Sequence, residues 1–299
     1  MRVEQLYRYP VKGLTAEALD EVALRPGQCL PHDRRFALAQ GDNPFNPAAP
    51  AWVSKHNFGC LAMNAGLALV HSAFDPRSGQ LALRAEDGST LLGDTTTEAG
   101  RAAIAAFLTA QLGAEARGTP RFLEAPGHNF TDVAPKCVSL IGLASLAALE
   151  QASGTRLDPL RFRANVYLSG GRPWAEFDLL GQEIQLGSAR LRVFKRIVRC
   201  PATQVNPGTG QRDADPPAWL RQHFGHPDLG GLRRGAGSRA RGPRRRAGTL
   251  AGQPVGLGRP ALVPRAIPRG SAPGRSPRHW RGNSRSSAAC PRRPRGPPG

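Results

Sequence analysis

The sequence predicts a mostly β protein with a few helices, arranged as two linked barrel-like halves and followed by a disordered tail. Three observations predict this. Short runs of alternating apolar and polar residues, bounded by Gly, Pro, Asn and Asp, recur from residue 2 to residue 196. Two segments carry helical spacing instead, and each ends at a glycine, Gly113 or Gly154. The composition then changes abruptly beyond Gly230. The expected boundaries are therefore 1–118 for the first half, 119–230 for the second and 231–299 for the tail.

Residues 2–9 read as a first strand, stopped by Pro10, and Leu19–Leu24 as a second, closed by Pro26-Gly27. A third covers Arg34–Gln40 and runs into an Asn/Pro-rich loop. Strands near Leu67–Ala73 and Gln80–Ala85 flank the turn Asp75-Pro76-Arg77-Ser78-Gly79. Thr95-x-x-Glu98 reads as a capping box, and Ile104, Phe107, Leu108 and Leu112 share one face of the helix it opens. The junction of the halves falls between Thr119 and Leu140, where His128 reads as a surface residue. A second helix spans Gly142–Ser153. Asn165–Ser169 forms a strand, and Gln182–Leu186 with Ala189–Arg196 forms a hairpin across Gly187-Ser188.

The formal net charge of +19 suggests a partner such as nucleic acid, but its distribution argues otherwise. Residues 231–299 hold 17 Arg and no Lys, Asp or Glu, which leaves 24 basic against 22 acidic residues in 1–230. With 13 Gly and 11 Pro, that tail cannot bury enough apolar surface to offset its chain entropy. Arg, Gly, Pro and Ala share GC-rich codons, so the tail reads as an out-of-frame translation; the rival reading is a genuine Arg-rich RNA-binding segment.

The five cysteines, Cys29, Cys60, Cys137, Cys200 and Cys290, form no C-x-x-C pair and show neither disulfide nor iron–sulfur spacing. A reducing, cytoplasmic location fits. No apolar run approaches the roughly 18 residues of a spanning helix, and the N-terminus lacks a signal peptide's apolar core, so no membrane partner is expected.

Cys200 is the leading candidate for a functional atom. It follows a basic strand bearing Arg190, Arg192, Lys195, Arg196 and Arg199 and precedes a Pro/Gly-rich turn. Neighbouring cations bias a thiol toward thiolate, which attacks electrophiles or binds soft metals. The other reading of Cys200 is a small buried apolar residue.

The residues around it resemble the MOSC domains. The F-R-x-N of Phe162, Arg163 and Asn165, the W-A-E of Trp174 to Glu176, the R-C-x-x-T of Arg199, Cys200 and Thr203, and the turn Asn206-Pro207-Gly208-Thr209-Gly210 carry the likeness. Tyr9-Pro10-Val11-Lys12-Gly13 and Asp33-Arg34-Arg35-Phe36 are similar to the N-terminal β-barrel domain that precedes MOSC in the subfamily of the amidoxime reducing component. The resemblance implies an N-terminal barrel followed by a MOSC barrel that binds the molybdenum cofactor. It makes Cys200 the molybdenum ligand and catalytic residue, and Lys12, Arg34, Arg163, Asn165, Arg199, Thr203 and Ser139 cofactor-binding residues. Ser145 is a further candidate, although a capping role suits either serine equally.

The implied reaction is reduction of N-hydroxylated small molecules. No iron–sulfur domain is present, so electrons would come from a separate ferredoxin or flavin-reductase type partner. A second implied reading is a sulfur or cofactor carrier, since MOSC domains also occur fused to pyridoxal-phosphate-dependent cofactor sulfurases. A third, of another class, is nucleic-acid binding through the tail. Three positions depart from the pattern: Gly13 stands where Ser is common, Val198 where Ser or Thr precedes R-C, and Asn206 where Asp is usual. The pattern also continues into further strands where this chain turns to Arg/Gly/Pro, so unpaired edges, and stability and activity below those of its relatives, are expected.

Overall fold

A computed structural model describes residues 1–235 and 248–251. Its centre is a seven-stranded sheet in the order β11-β12-β13-β9-β10-β1-β2. Here β1 is Arg2–Arg8, β2 Glu17–Ala18, β9 Val138–Gly142, β10 Val166–Ser169, β11 Glu183–Leu186, β12 Ala189–Val198 and β13 Asp228–Gly235. β9 and β10 run parallel, with Val166 beside Leu140, while β1 joins β10 antiparallel. Strands from both expected halves thus share one sheet.

Both faces of that sheet are covered, and the twofold side-chain alternation decides which residue goes where. Leu140, Val166 and Leu168 enter one core with Leu6 and Leu191. Ile141 and Tyr167, one position out of phase, enter the other with Leu146, Leu149 and Leu220. The second core is roofed by α2 (Leu143–Ser153) and α3 (Pro216–Phe224).

The rest of the N-terminal portion is smaller sheets. β4 (Phe36–Ala39) pairs with β8 (Arg121–Glu124), and β5 (His71–Phe74), β6 (Gln80–Arg84) and β7 (Thr90–Asp94) form a meander. α1 (Glu98–Leu112) packs Ile104 and Leu108 into a core with Phe36, Phe74, Leu81 and Phe122. β3 (Glu21–Leu24) pairs antiparallel with β14 (Gly248–Ala251).

Several expectations change at this level. The stretch from Leu67 does not open a strand: Ala65–Leu69 winds into a 3-10 turn, and β5 begins at His71. The cap of α1 is Thr97, which accepts from Gly100 N–H, because the Thr95 hydroxyl donates to the Gly79 carbonyl at 2.7 Å. A third helix, α3, follows the Asn206–Gly210 turn, in a stretch where the sequence predicts no element. Asp215 caps it by accepting from Ala218 N–H, and Pro216 occupies its first turn, where its missing N–H costs nothing. β7 and β8 are further additions.

The expected change of character after Gly230 falls inside β13. Residues 231–235 complete that strand, which lies between β12 and β9. The remainder of the expected disordered tail, 236–247 and 252–299, is outside the described residues. Gly230 itself carries φ +85°, and a Cβ there would stand 2.3 Å from the Leu140 carbonyl oxygen. Gly230→Ala is therefore expected to cost about 2 kcal/mol or more, from left-handed strain plus displacement of β9, read as a lower midpoint of chemical unfolding.

Candidate functional site

Cys200 lies where β12 ends and a 3-10 turn, Pro201–Gln204, begins. Its surroundings account for the R-C-x-x-T pattern. The buried Arg199 guanidinium donates to the carbonyls of Phe162 (3.0 Å) and Leu229 (2.8 Å from Nε, with Nη2 on the same oxygen), tying the strand end to two other segments. Thr203 closes the turn, its N–H and its hydroxyl both donating to the Cys200 carbonyl at 3.0 and 2.9 Å. The thiol is left half-buried on the wall of a cavity of about 390 Å³. Val198, where a hydroxyl was expected, is an exposed part of the same wall.

The F-R-x-N segment builds another side. Arg163 closes the 3-10 turn Pro159–Phe162 with φ +52°, and Arg34 has φ +49°, a left-handed conformation uncommon for side chains this long. Both guanidinium groups rest on the ring of the buried Tyr9, at 4.3 and 4.2 Å. Arg34 bonds both Asp33 carboxylate oxygens at 2.7 Å and the Arg163 carbonyl at 2.8 Å. Arg163 Nη1 donates to the Leu14 carbonyl at 2.7 Å, while its buried Nη2 has no hydrogen-bond partner among the described residues. Burial pushes the Arg163 guanidinium down to about 10, with Tyr9 opposing and Arg34 adding to the shift.

Asn165 and Ser139 also line the cavity, but they face each other. The Ser139 N–H and hydroxyl donate to Asn165 Oδ1 at 3.1 and 2.9 Å, and Asn165 Nδ2 donates to the Tyr7 carbonyl. They clip β9 to the segment entering β10 and the end of β1. Ser145 is buried in α2, donating to Glu176 at 2.7 Å. Lys12 is buried behind the wall, its ammonium on the Phe130 carbonyl (3.0 Å) and on Asp132. Gly13 beside it has φ +90°, a conformation serine would strain. Asn206 keeps its turn with the amide, Oδ1 accepting from Gly208 N–H at 2.9 Å and Nδ2 donating to Asp213.

Two residues absent from the sequence-based candidates belong to the site. Lys55 Nζ donates to Cys200 Sγ at 3.0 Å across 145 residues of chain and lies 3.7 Å from Asp132 Oδ2. Burial opposes charge on Lys55, but Asp132 and the Cys200 hydrogen bond outweigh it and raise its pKa. For Asp132, whose side chain is half exposed, partial desolvation is likewise outweighed, by Lys12, Lys55 and Arg34, which hold the carboxyl at about 2. The expected cations of β12 take other places. Arg196 stacks 4.3 Å over Phe177, and Lys195 stands exposed at the cavity rim. His128 joins Phe45 and Phe130 in an aromatic cluster, centroids 5.0 Å apart.

The cavity is lined by seven cationic side chains against two carboxylates, Asp33 and Asp132, which suits an anionic ligand. Among the described residues no three His, Cys, Asp or Glu side chains gather to hold a metal. A metal here would take Cys200 as its protein ligand and its other donors from the ligand that carried it. A thiol, an unpartnered buried guanidinium nitrogen and excess positive charge fit a metal bound through an anionic organic cofactor.

Residues 1–120 match the MOSC N-terminal beta barrel domain, and residues 127–242 match the MOSC domain. No curated protein matches. Among solved structures, the chain is similar to the YUAD protein from Bacillus subtilis, at 15% identity and a TM-score of 0.37, covering 84% of this chain and 90% of that one. No helix among the described residues is long and apolar enough to cross a membrane.

Proposed function

Since the chain belongs to the MOSC family, with its N-terminal barrel domain preceding the MOSC domain, we propose that it binds the molybdenum cofactor in the Cys200 cavity and reduces N-hydroxylated compounds there. The observation that carries this reading is the convergence, on one cavity of about 390 Å³, of Cys200 with Arg163, whose buried Nη2 has no hydrogen-bond partner among the described residues, in a cationic lining. That volume lies within the range of small-molecule and cofactor sites.

Cys200 Sγ would hold the metal. Arg163 Nη2 would meet an anionic group of the cofactor, with Arg34 bonded to the Arg163 carbonyl and fixing its backbone. Arg199 and Thr203 act one step back: Thr203 bonds the Cys200 carbonyl and Arg199 ties the adjoining strand end to Phe162 and Leu229, which fixes the backbone from which the sulfur projects. Asn165 and Ser139 hold the two strands that carry the arginine wall. When bound, the cofactor supplies two-electron redox chemistry and accepts an oxygen atom. The balanced reaction converts R–NH–OH, two electrons and two protons to R–NH2 and water. A separate donor protein of ferredoxin or flavin-reductase type supplies the electrons.

The test is molybdenum and pterin content of the full chain purified from a cofactor-producing host, wild type beside Cys200→Ala. Near-stoichiometric molybdenum in the wild type, falling at least tenfold in the variant, is the expected result. Folded wild type without molybdenum would sink the oxidoreductase reading, and a persulfide on Cys200 in that protein would favour the sulfur carrier.

A further inference from the structure

We propose that Lys55 is a positioning residue for Cys200: its hydrogen bond fixes where the sulfur points and, with a metal on that sulfur, sets the reduction potential of the centre. The inference rests on the cofactor-binding reading above and concerns a residue that the resemblance does not place in the site.

The geometry is specific. Lys55 Nζ stands 3.0 Å from Sγ, a full hydrogen bond to sulfur rather than a distant charge. The lysine is itself held in place. Its ammonium lies 3.7 Å from Asp132 Oδ2, and the other Asp132 oxygen is taken by the buried Lys12, which also donates to the Phe130 carbonyl at 3.0 Å. A chain of contacts from Lys12 through Asp132 and Lys55 to Cys200 therefore joins four separate segments of sequence.

The backbone beneath Lys55 is anchored as well. It opens a short 3-10 turn, Lys55–Asn57, with Ser54 as its cap. Asn57 Nδ2 donates to the Ser54 carbonyl at 3.1 Å, and Arg117 donates to the His56 carbonyl at 2.7 Å. A side chain with four rotatable bonds would otherwise place its charge loosely. Here both of its ends are constrained, as preorganisation requires.

The consequence for a bound metal follows from elementary electrostatics. A hydrogen bond to a thiolate ligand draws electron density from sulfur and favours the more electron-rich, reduced metal. An ammonium adds its charge to the same effect. Replacing the donor with an isosteric apolar chain should thus lower the potential while leaving the arginine wall in place.

The experiment compares full-length wild type, Lys55→Met, Lys55→Arg and Asp132→Asn from a cofactor-producing host. Molybdenum content is measured first, then the midpoint potential by redox titration followed by optical absorption and Mo(V) paramagnetic resonance. Lys55→Met is expected to keep at least half the wild-type molybdenum, to shift to lower potential and to change its resonance signal. Lys55→Arg should restore part of both changes, and Asp132→Asn, which removes the negative charge that offsets the Lys55 ammonium, should shift the potential the other way. Unchanged potential and signal in a loaded Lys55→Met protein would overturn the inference while leaving the cofactor reading intact. Loss of molybdenum from Lys55→Met without rescue by Lys55→Arg would make Lys55 a cofactor anchor and likewise overturn it. Folded wild type without molybdenum would refute the cofactor reading, and this inference with it.

Discussion

Arg233→Leu is expected to stabilise the protein by about 3 kcal/mol, close to the cost of an uncompensated buried charge. At about 2–4 °C per kcal/mol for a domain of this size, the thermal midpoint should rise by about 6–12 °C. Arg233 lies in β13, in register with Val138 on one side and Val193 on the other, and is 0% exposed. Nε, Nη1 and Nη2 are all buried without a hydrogen-bond partner among the described residues. Burial pushes the guanidinium down to about 9, with Glu176 opposing. A base whose folded value is depressed carries its full penalty below that value, and the penalty is relieved as pH rises toward the unfolded value. The gap between Arg233→Leu and wild type should therefore be constant from pH 6 to 8 and narrow above about 9. Thermal unfolding across that series checks both points. Equal or lower midpoints in Arg233→Leu and Arg233→Met alike would show that the guanidinium is stabilised where it lies.

Glu176→Ala should act in the opposite direction, destabilising the fold by about 4 kcal/mol, since two buried hydrogen bonds to a carboxylate are lost at about 1.5–3 kcal/mol each. Glu176 is 1% exposed. Its oxygens accept from the Gly142 N–H at 3.3 Å and the Ser145 hydroxyl at 2.7 Å. Ser145 Oγ in turn accepts from the Trp174 N–H at 2.8 Å, holding a tryptophan whose φ is +66°. Gly142 caps α2 and has no side chain to do it with, so the carboxylate also supplies the negative charge that a helix N-terminus favours. Glu176→Gln keeps an acceptor and should lose about half as much. Denaturant midpoints and the near-ultraviolet signal of Trp174 would report both changes, and a loss below about 1 kcal/mol in Glu176→Ala would refute the assignment. Because Glu176 also offsets the charge of Arg233, the Arg233→Leu gain should differ in the Glu176→Gln background rather than add.

These two residues show how legibility varied along the chain. Trp174-Ala175-Glu176 was visible as a pattern, but its work, tying a strained loop to a helix that starts 31 residues earlier, was not. Arg233 looked like the first arginines of a disordered tail. The chain places it inside β13, because that strand fills a gap between β12 and β9 that no other described segment occupies.

Local chemistry was enough for much of the rest. Alternation, turn residues and glycine stops located most strands and two helices, because each of those signals acts within a few residues of its cause. The cysteine and the arginines of the F-R-x-N and D-R-R-F segments stand out in the sequence for the same reason, together with their resemblance to MOSC, and the fold brings Cys200, Arg34 and Arg163 to one cavity. What the tertiary structure decided was which of the polar candidates remain free to meet a ligand. Arg199, Asn165, Ser139 and Thr203 are consumed by backbone carbonyls or by one another, and Lys12 by Asp132, whereas Arg163 keeps one buried nitrogen without a partner. It also chose the cation on Cys200. Five lay near it in sequence, yet the hydrogen bond comes from Lys55, because β12 sends its basic side chains toward solvent and the Phe177 ring, Arg199 is spent on the Phe162 and Leu229 carbonyls, and the turn before Phe58 brings Lys55 to the cavity wall. Sequence proximity sets which charges a strand carries; packing of distant segments sets which of them a sulfur meets.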